Sequence, residues 1–409
     1  MDQTKKTGNS SAIVRKKVKI TIPDMSAKAI QSGHPWIFRN VVAPEEQAFS
    51  TGDMVDVQDR DGRFIARGIW DNEGSVAIRV FTRDSNAPTG SDFFNMAVER
   101  AVSRRAAFTH GATNAYRLVN GESDRLPGIS ITRYDKWLHC ILYTESAEKI
   151  LDATKDQLMS IEGIAGIYVQ NRFRPSGEKG NMPEPSRLYT GERAPLEFEI
   201  EEHGLRFMVD ITAPMSTGFF PDYRPGRLEI GELSNSKRVL NLFSYTGAFS
   251  VYAYSSGASE VVSVDINQKV NNKAMQNCEL NKVRFNRRDF LTEDAIKAVS
   301  QMAAKGRKFD LAIIDPPTFA TGPRGNWSVH KNYRQLLREM CLVMDFDSKV
   351  LCTSNTQKMT GDEFERILAS GWGIRPATIL KRIALPEDYP ELPGFSEGNY
   401  LKSMLLGLD

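Results

Sequence analysis

Two short motifs, each directly after a run of apolar residues, constrain the fold of this chain most strongly. The first is a turn with one glycine, Phe243–Gly247, which follows the apolar segment Arg238–Leu242. The second is Asp315-Pro-Pro-Thr-Phe319, which follows the apolar segment Leu311–Ile314. Open α/β sheets bind ligands at the carboxyl ends of their parallel strands, where such turns lie. We therefore predict a ligand site at one edge of a parallel sheet.

The residues in and near these turns suit a nucleoside-like ligand. Gly247 lets the backbone approach a ligand closely, and the two prolines after Asp315 cannot continue a sheet ladder. Asp265 ends the next apolar segment, Val261–Asp265, roughly 20 residues after the glycine, where nucleotide-binding folds bind ribose hydroxyls. The alternative is an aspartate that caps the following helix.

The single glycine also limits the choice of cofactor. A pyrophosphate-binding turn carries three glycines, so Phe243–Gly247 argues against NAD or FAD. S-adenosylmethionine (SAM) has no phosphate, and one glycine suffices for it. A glycine turn followed by a later Asp-Pro-Pro is the layout of a SAM-dependent methyltransferase acting on a nucleobase. Asp289 and Phe290 follow Asn281–Phe285, where we predict an edge strand, and we expect them to contact adenine. The alternative for Asp289 is a loop position.

Composition excludes several classes of protein. The chain has 409 residues, a net charge of +2 and four cysteines, which are spread without metal-ligand spacing. This pattern favours a reducing compartment and argues against a disulfide framework or a metal site. The polar N-terminus has no signal-peptide pattern, and no apolar stretch approaches the length of a membrane span. We therefore expect a soluble cytoplasmic protein with no membrane partner.

The chain divides into four predicted parts. Residues 1–13 are polar and predicted to be disordered, and residues 14–90 alternate short strands with turns such as Asp59–Gly62. Residues 91–210 contain a helix followed by a mixture of strands and one further helix. Residues 211–409 alternate strands with helices, which predicts a doubly wound, mostly parallel α/β sheet.

Several further motifs carry a family resemblance. They are Gly33–Phe38, Asn120–Gly128 and Thr217–Arg224, together with the two turns described above. With these motifs the chain resembles, nearly end to end, the bacterial large-subunit ribosomal RNA methyltransferases that carry an N-terminal PUA domain. The resemblance implies a PUA domain, a central α+β domain that helps to hold RNA, and a Rossmann-like class I methyltransferase domain. It also implies ribosomal RNA as the partner and a monomer or homodimer.

The resemblance further implies which residues bind SAM. They are Phe219, Asp222, Tyr223, Arg224, Phe243, Ser244, Tyr245, Thr246, Gly247, Asp265, Asp289, Phe290 and Asp315. The chain departs from the 5-methylcytosine members of the family at Tyr223, where those members tend to have glutamine.

A second departure bears on the chemistry. Cytosine C5 becomes nucleophilic only after a thiolate adds to the ring, and the 5-methylcytosine members carry that cysteine in a Ser-Cys-Ser segment. Here the matching segment is Thr353–Thr356, and Asn355 occupies the cysteine's place. Cys352 lies within the apolar segment Lys349–Cys352, and we interpret it as a buried thiol. The favoured target is therefore guanine N7, whose lone pair can attack a methyl group directly.

In this interpretation three residues act on the base. Asp315 accepts hydrogen bonds from the guanine, Asn355 supplies an amide to another base edge, and Phe319 stacks on the flipped base. Three alternatives remain: a cytosine-C5 methyltransferase using Cys352, an exocyclic-amine methyltransferase, and a non-catalytic RNA-binding ribosome-assembly factor. The exocyclic-amine motif usually has its aromatic directly after Pro-Pro, whereas here Thr318 intervenes.

Basic and aromatic residues outside these motifs leave further alternatives open. Lys282–Arg288 and the residues around Arg172 are locally basic, and they either contact RNA phosphates or form a solvated face. Trp327 lies in a segment with Arg324 after the Asp-Pro-Pro motif, and it either stacks on RNA or packs in the core.

Overall fold

The computed structural model describes residues 15–43, 49–108, 111–173, 184–322, 325–357, 359–373 and 375–409. The segment predicted to be disordered, 1–13, lies outside them. The chain divides into two compact units by its contacts. The first contains Met1–Leu196, Ile211–Ser216 and Asp388–Gly398; the second contains Glu197–Asp210, Thr217–Glu387 and Asn399–Asp409. Within the described ranges, no helix is long and apolar enough to cross a membrane.

The N-terminal part of the first unit is a five-stranded sheet with one helix. Its elements are β1 (Arg15–Thr21), α1 (Asp24–Gln31), β2 (Trp36–Phe38), β3 (Met54–Gln58), β4 (Phe64–Trp70) and β5 (Val76–Thr82). The strands lie in the order β1-β3-β4-β5-β2. The predicted turn at Asp59–Gly62 is confirmed. The Asp59 carboxylate accepts the backbone N–H groups of Asp61 and Arg63 at 3.0 and 2.8 Å, which closes the β3–β4 hairpin.

The remainder of the first unit is a second five-stranded sheet with two helices. Its elements are α2 (Ser91–Arg104), β6 (Ala115–Asn120), β7 (Ile129–Tyr134), β8 (Trp137–Leu142), α3 (Ser146–Met159), β9 (Gly166–Asn171) and β10 (Arg187–Gly191). The strands lie in the order β10-β9-β8-β7-β6, and β8 pairs with β9 in parallel. The apolar faces of α2 and α3 pack against this sheet in one core.

A late segment of the chain, Asp388–Gly398, returns to the first unit. The Asp388 carboxylate accepts the backbone N–H of Arg117 at 2.7 Å, and the Asp388 carbonyl accepts from the Arg105 side chain at 2.8 Å. Phe395 packs against Trp36, with 4.7 Å between the ring centroids. The predicted catalytic segment, 211–409, therefore does not coincide with one unit, because contacts distant in sequence draw part of it into the other.

The second unit alternates strands and helices over most of its length. Its elements are β11 (Phe198–Glu202), β12 (Leu205–Val209), α4 (Arg224–Leu233), β13 (Arg238–Leu242), α5 (Ala248–Ser255), β14 (Glu260–Asp265), α6 (Gln268–Leu280), β15 (Phe290–Thr292), α7 (Ala295–Ala304), β16 (Phe309–Ile314), β17 (Phe319–Gly322), β18 (Gly325–Ser328), α8 (Val329–Val343), β19 (Met344–Ser354), α9 (Gly361–Gly371), β20 (Ala377–Arg382) and β21 (Lys402–Leu408).

A seven-stranded sheet organises this unit, in the order β15-β14-β13-β16-β19-β21-β20. The strands from β15 to β19 pair in parallel, and β21 runs antiparallel to β19 and β20. Strand order reverses between β13 and β16, which is the topological switch point where such sheets bind ligands. The predicted doubly wound, mostly parallel α/β fold is confirmed.

Alternating side chains of the parallel strands fill two cores, one on each face of the sheet. Leu240, Val262 and Ala312 pack on one face with residues of α7, α8 and α9. Val239 and Val261 pack on the other face with residues of α4 and α5. Burial on both faces explains why these strands read as continuous apolar runs in the sequence.

The β11–β12 hairpin belongs with this sheet because side chains on and just after α6 hold it. The Asn277 and Asn281 carbonyl oxygens accept backbone N–H groups of Met208 and Arg206 at 3.0 and 2.8 Å. The predicted boundary after Asp210 therefore differs from the division by contacts, which places the hairpin in the second unit.

Candidate active site

Four parallel strands bring polar groups to one edge of the sheet. The chain passes there into Phe243–Gly247 after β13, reaches Asp265 at the end of β14, and continues into Asp315 after β16 and Asn355 after β19. The registers place Leu242, Val264, Ile314 and Cys352 side by side, so the four strands end within two residues of one another. The structure therefore brings these predicted site residues to one edge of the sheet, next to the switch point.

The loop after β13 has an unusual backbone. Phe243, Tyr245 and Gly247 all have positive φ angles, of 58°, 47° and 77°. A non-glycine residue in this region costs on the order of 1 kcal/mol, so surrounding contacts must hold the loop in place. One such contact is the Tyr245 backbone N–H, which donates to the Asp265 carboxylate at 3.1 Å. The contact with Asp265 therefore helps to hold the loop in this conformation.

Gly247 is required by packing as well as by its φ angle. A Cβ atom at this position would lie 2.7 Å from the Ala274 Cβ on α6, closer than such atoms approach each other. The sequence suggested that this glycine admits a ligand. In the structure, the space that its missing side chain leaves is occupied by the neighbouring helix, which allows α5 and α6 to pack closely.

Ser244 is the residue of this loop whose hydrogen bonding most clearly indicates a ligand-binding site. Its side chain is 6% exposed, and its buried hydroxyl has no hydrogen-bond partner in the described part of the chain. The Thr246 hydroxyl, by contrast, donates to the Gly218 carbonyl at 2.7 Å, and the Thr246 backbone carbonyl accepts from the Asn277 amide at 2.8 Å. A buried polar group without a partner is costly, and a ligand with hydrogen-bonding groups such as SAM would relieve that cost.

Asp265 links the loop to the helix that follows β14. One carboxylate oxygen accepts the Tyr245 backbone N–H, and the other accepts the Asn267 backbone N–H at 3.0 Å. Burial raises the pKa of Asp265, while these backbone hydrogen bonds lower it. Asn267 caps α6, so the alternative role of Asp265 as the helix cap is wrong. A carboxylate accepts roughly four hydrogen bonds, which leaves room for a ribose hydroxyl.

The structure does not place Asp289 and Phe290 as the sequence predicted. The predicted strand before them is wrong: Asn281 follows the end of α6, and the edge strand is β15, which begins at Phe290. Because Phe290 pairs with Ser263, Asp289 lies towards the amino end of β14. Burial, and then Glu260, raise the pKa of Asp289. The Phe290 ring is buried and packs edge-on against Phe285 at 5.4 Å.

The residues that do reach the carboxyl end of β15 are Thr292, Glu293 and Asp294, which the sequence analysis missed. Thr292 is paired with Asp265 across the sheet, and the Glu293 backbone N–H donates to the Asp265 carbonyl at 3.2 Å. Asp294 caps α7 by accepting the Lys297 backbone N–H at 3.0 Å. The sequence does contain a signal for this position, because two acidic residues directly before an apolar helical segment indicate the start of a helix.

Phe219 and Tyr223, two predicted cofactor contacts, are core residues. Phe219 is 2% exposed and lies between the Phe207 ring at 4.8 Å and the Arg227 guanidinium at 4.5 Å. Tyr223 packs edge-on against Phe249 at 5.1 Å. Both aromatic rings therefore pack against other protein groups in the core that supports the site.

The neighbouring Phe220 has the exposure that a ligand contact requires. It is 52% exposed, and its ring centroid lies 5.6 Å from that of Tyr245 in the loop after β13. Asp222, a predicted contact, lies in the same short segment and accepts a hydrogen bond from the Tyr400 hydroxyl. This segment thus presents one aromatic and one carboxylate to the site.

A buried ion-pair network supports that segment. The Glu202 carboxylate is held by Arg227 at 2.7 and 2.8 Å and by Arg224 at 3.4 Å, and it accepts from Tyr252 at 2.9 Å. The guanidinium of Arg227 also donates to the Phe220 carbonyl at 3.0 Å. Arg224, a predicted cofactor contact, is almost fully buried in this network. In the structure it pairs with Glu202 and thereby helps to fix the segment.

Asp315 is a partly buried carboxylate at the centre of the site. The Thr353 hydroxyl on β19 donates to it. Burial raises the pKa of Asp315 to about 6; the Thr353 hydrogen bond opposes the shift, and the negative charge of Asp222 adds to it. A carboxylate with so few partners is poised to pair with a donor or a cation that enters the site.

Asn355 is exposed and lies beside the Asp-Pro-Pro turn. Its carbonyl oxygen accepts from the Thr318 hydroxyl at 2.6 Å, which fixes the orientation of the amide. Across the described ranges the amide nitrogen has no protein acceptor, so it can donate to a ligand. Phe319 begins β17, and its side chain lies outside the described part of the structure.

Cys352 is buried in the core and cannot serve as a nucleophile in this conformation. It is 0% exposed and packs among apolar residues of α8 and β21. Burial raises the pKa of this thiol to about 12, so it stays protonated at neutral pH. The interpretation of Cys352 as a structural thiol is confirmed. All four cysteines are free, and no cluster of metal-ligating side chains occurs in the described residues.

The antiparallel strand β21 and the residues just before it bring two side chains to the site that no motif in the sequence indicated. Tyr400 bonds Asp222, and Lys402, paired with Ser354 across the sheet, donates to the Thr356 and Tyr400 carbonyls at 2.8 and 3.0 Å. Burial lowers the pKa of Lys402. These bonds hold the segment that carries Asn355. No local spacing signals such a contact, because the pairing joins segments far apart in the chain.

Trp327 packs in the core rather than standing free for RNA. Its ring lies 4.8 Å from Phe243 and 6.3 Å from Tyr333. Arg324 lies outside the described residues. In the basic stretch Lys282–Arg288, the structure pairs Arg287 with Glu279.

Comparison with known proteins identifies the family of this chain. Residues 151–407 match the family described as S-adenosylmethionine-dependent methyltransferase, and residues 20–83 match a PUA-like domain. Ribosomal RNA large subunit methyltransferase I of Escherichia coli O157:H7 is 32% identical over 388 residues, which cover 94% of this chain and 98% of that protein. The protein of the same name from Tolumonas auensis is 32% identical over 383 residues, covering 93% and 96%.

Solved structures establish the same fold. SMU.776, a methyltransferase complexed with SAH, superposes with a TM-score of 0.85 at 24% identity, covering 95% of this chain and all of that one. A SAM-dependent methyltransferase from Streptococcus mutans superposes with a TM-score of 0.83 at 23% identity and the same coverage. This chain is therefore an enzyme of the class I SAM-dependent methyltransferase family with an N-terminal PUA-like domain, the family that includes ribosomal RNA large subunit methyltransferase I.

Proposed function

We propose that this enzyme methylates a base of large-subunit ribosomal RNA in the cytoplasm, and that the methylated atom is guanine N7. Two findings support ribosomal RNA as the substrate. The relatives that match this chain almost end to end are named for that substrate. A PUA-like domain precedes the catalytic unit.

The residues at the sheet edge suit the cofactor. We propose that Asp265 holds a ribose hydroxyl, that Ser244 and the neighbouring loop backbone hold other polar groups, and that Glu293 and Asp294 replace Asp289 as candidate partners of the adenine. Bound SAM would supply an electrophilic methyl group. Its positive charge suits a site that contains Asp222 and Asp315, whose carboxylates have few cationic partners.

The burial of Cys352 is the observation that carries the choice of atom. A cytosine-C5 enzyme needs a thiolate against the base, whereas the described residues at this edge offer an amide, Asn355, in that place. Guanine N7 needs no covalent activation and loses no proton on methylation, so positioning and exclusion of water suffice. Asp315 would accept from the guanine N1–H and amino group, and Asn355 would donate to O6. Methylation leaves a positive charge on guanine, which the two carboxylates would stabilise.

A second candidate is methylation of an exocyclic amine. The raised pKa of Asp315 favours it, because a carboxyl group of pKa about 6 can accept the proton that an amine loses. The displaced aromatic of the Asp-Pro-Pro motif argues against this reaction. The non-catalytic alternative does not account for the strained loop and the buried, unpaired Ser244 hydroxyl.

The decisive experiment is nucleoside mass spectrometry. Large-subunit RNA from several bacteria would be incubated with the protein and methyl-labelled SAM, digested and separated. We expect the label in 7-methylguanosine. Label in 5-methylcytidine would overturn the choice of atom, and label in an N2- or N6-methylated nucleoside would favour the second candidate. Absence of label, together with absence of SAM binding, would favour the non-catalytic alternative.

Two substitutions test the roles of the amide and the thiol. We expect Cys352→Ala to keep methyl transfer within about twofold, because a buried thiol only fills space, at a cost to stability of about 1 kcal/mol.

We expect Asn355→Ala to lower kcat/KM about tenfold, the effect of one lost hydrogen bond to the base, without lowering the melting temperature. The opposite pattern, with a folded Cys352→Ala enzyme inactive, would contradict guanine N7 as the target.

A further inference from the structure

Three arginines lie around one short helical turn in the first unit, remote in sequence from the catalytic motifs. The turn is Gly121–Asp124, and it packs against α2 and β5. Arg125 follows the turn, Arg104 is the last residue of α2, and Arg83 follows β5. The folding of three separate segments therefore brings these cations together.

Arg125 occupies a backbone position that favours glycine. Its φ angle is 64°, in the left-handed region where a side chain adds strain of about 1 kcal/mol. The side chain is half-buried, and in the described part of the chain its guanidinium has no hydrogen-bond or ion-pair partner. A strained position occupied by a large unpaired cation does not benefit the fold, which suggests that the cation serves a ligand.

The acidic residues nearby are already engaged. Asp124 is shared by Arg104 and the buried Arg105, at 2.8 and 2.7 Å. Glu122 accepts from the Trp36 indole at 2.8 Å and from Arg79 at 2.7 Å. Two arginines thus share the Asp124 carboxylate, and Arg125 adds a further positive charge beside them.

The surroundings of Arg83 complete the positive surface. Its guanidinium donates to the Gln31 carbonyl at 2.7 Å, which fixes its position without neutralising its charge. Asp84 is exposed and accepts the Asn86 backbone N–H at 2.8 Å, so it is the nearest counter-charge in sequence. Burial lowers the pKa of Arg125, and the positive charges of Arg83 and Arg104 lower it further. An anion placed among the three would remove this repulsion.

We propose that Arg83, Arg104 and Arg125 form a binding site for a backbone phosphodiester of the RNA substrate. Guanidinium groups bind phosphate oxygens through paired N–H donors, and such contacts orient a nucleic acid without reading its sequence. The identity of the nucleic acid rests on the proposed function. The site itself rests on the arrangement of the arginines.

Arg125→Gly is the most informative variant, because it removes the cation and glycine adopts the left-handed backbone without strain. The probe is a fluorescein-labelled hairpin from large-subunit RNA, and its binding is measured over a range of salt concentrations. We expect about tenfold weaker binding at low salt and a salt slope smaller by about 1, as expected for one lost phosphate contact. Arg125→Lys should recover part of the affinity.

Two controls separate this site from general charge and from catalysis. Arg60→Gln removes an exposed cation from the β3–β4 turn of the same unit, and it should change binding less than twofold. SAM binding should be unchanged in Arg125→Gly. If Arg125→Gly binds the hairpin like the wild type, the phosphate site is wrong whatever the enzyme methylates. If the wild type transfers no methyl group to ribosomal RNA but Arg125→Gly still loses affinity, the proposed function fails and the site stands.

Discussion

Asp315→Asn is expected to abolish methyl transfer while making the folded protein more stable at neutral pH. The loss of activity follows from the position of the carboxylate at the sheet edge. In the proposed mechanism it accepts hydrogen bonds from the base and stabilises the positive charge that develops on the base. Removal of one such preorganised group costs catalysis about a thousandfold. Asparagine is nearly the same shape and can still accept the hydrogen bond from Thr353.

The gain in stability follows from the raised pKa of Asp315. Its ordinary value is 3.8, and in the folded protein it is about 6. Well below about pH 4 the carboxyl group is neutral in both states and carries no penalty. Well above about pH 6 it is ionised in both, and the folded state bears the full penalty. The unfolding free energy of the wild type therefore falls as the pH rises between these values. The shift corresponds to at most about 3 kcal/mol.

Urea unfolding at about pH 4 and about pH 7.5 measures this effect. We expect the variant to exceed the wild type in unfolding free energy by about 2 kcal/mol at the higher pH, and by little at the lower one. In parallel, the wild-type kcat should fall as the pH drops through about 6, because the mechanism uses the ionised carboxylate. An active Asp315→Asn enzyme would remove Asp315 from the chemistry. A variant less stable than the wild type at neutral pH would show that burial does not penalise the ionised group.

The sheet edge was predictable because its signals are local. Apolar runs buried on both faces marked β13, β14 and β16, and the turn residues after them identified the ends of the strands. The carboxyl ends of parallel strands must meet at one edge. The predicted fold alone therefore brings Gly247, Asp265 and Asp315 to the same edge of the sheet.

The orientation of individual side chains was not predictable. Phe219 and Phe220 are adjacent aromatics in an irregular segment, where no periodicity tells which faces the core. The sequence predicted a strand that ends at Phe285, so that Asp289 would follow it. In the structure Phe285 lies in the segment after α6 and packs against Phe290, and the strand β15 begins only after Asp289. Lys402 reaches the site through an antiparallel pairing between distant segments.

Glu202→Leu is expected to have the largest effect on stability. The substitution would leave the buried guanidinium groups of Arg224 and Arg227 without their shared carboxylate. Removal of one partner from a buried ion pair costs about 3–5 kcal/mol, because the remaining charge stays desolvated. We therefore expect urea unfolding to show a loss of this size. SAM affinity should fall as well, because Arg227 also holds the Phe220 carbonyl.

The strand that carries Glu202 provides a matched control. Glu199, also on β11, pairs with Arg206 at 3.1 Å, but both side chains are more than 40% exposed. Water screens such a pair, so Glu199→Leu should change the unfolding free energy by less than about 1 kcal/mol. The double variant Glu202→Leu with Arg227→Met should recover part of the loss, since it also removes one stranded charge. Equal losses from Glu202→Leu and Glu199→Leu would mean that the buried network contributes no more than an exposed ion pair, and that other contacts hold the Phe220–Asp222 segment against the site.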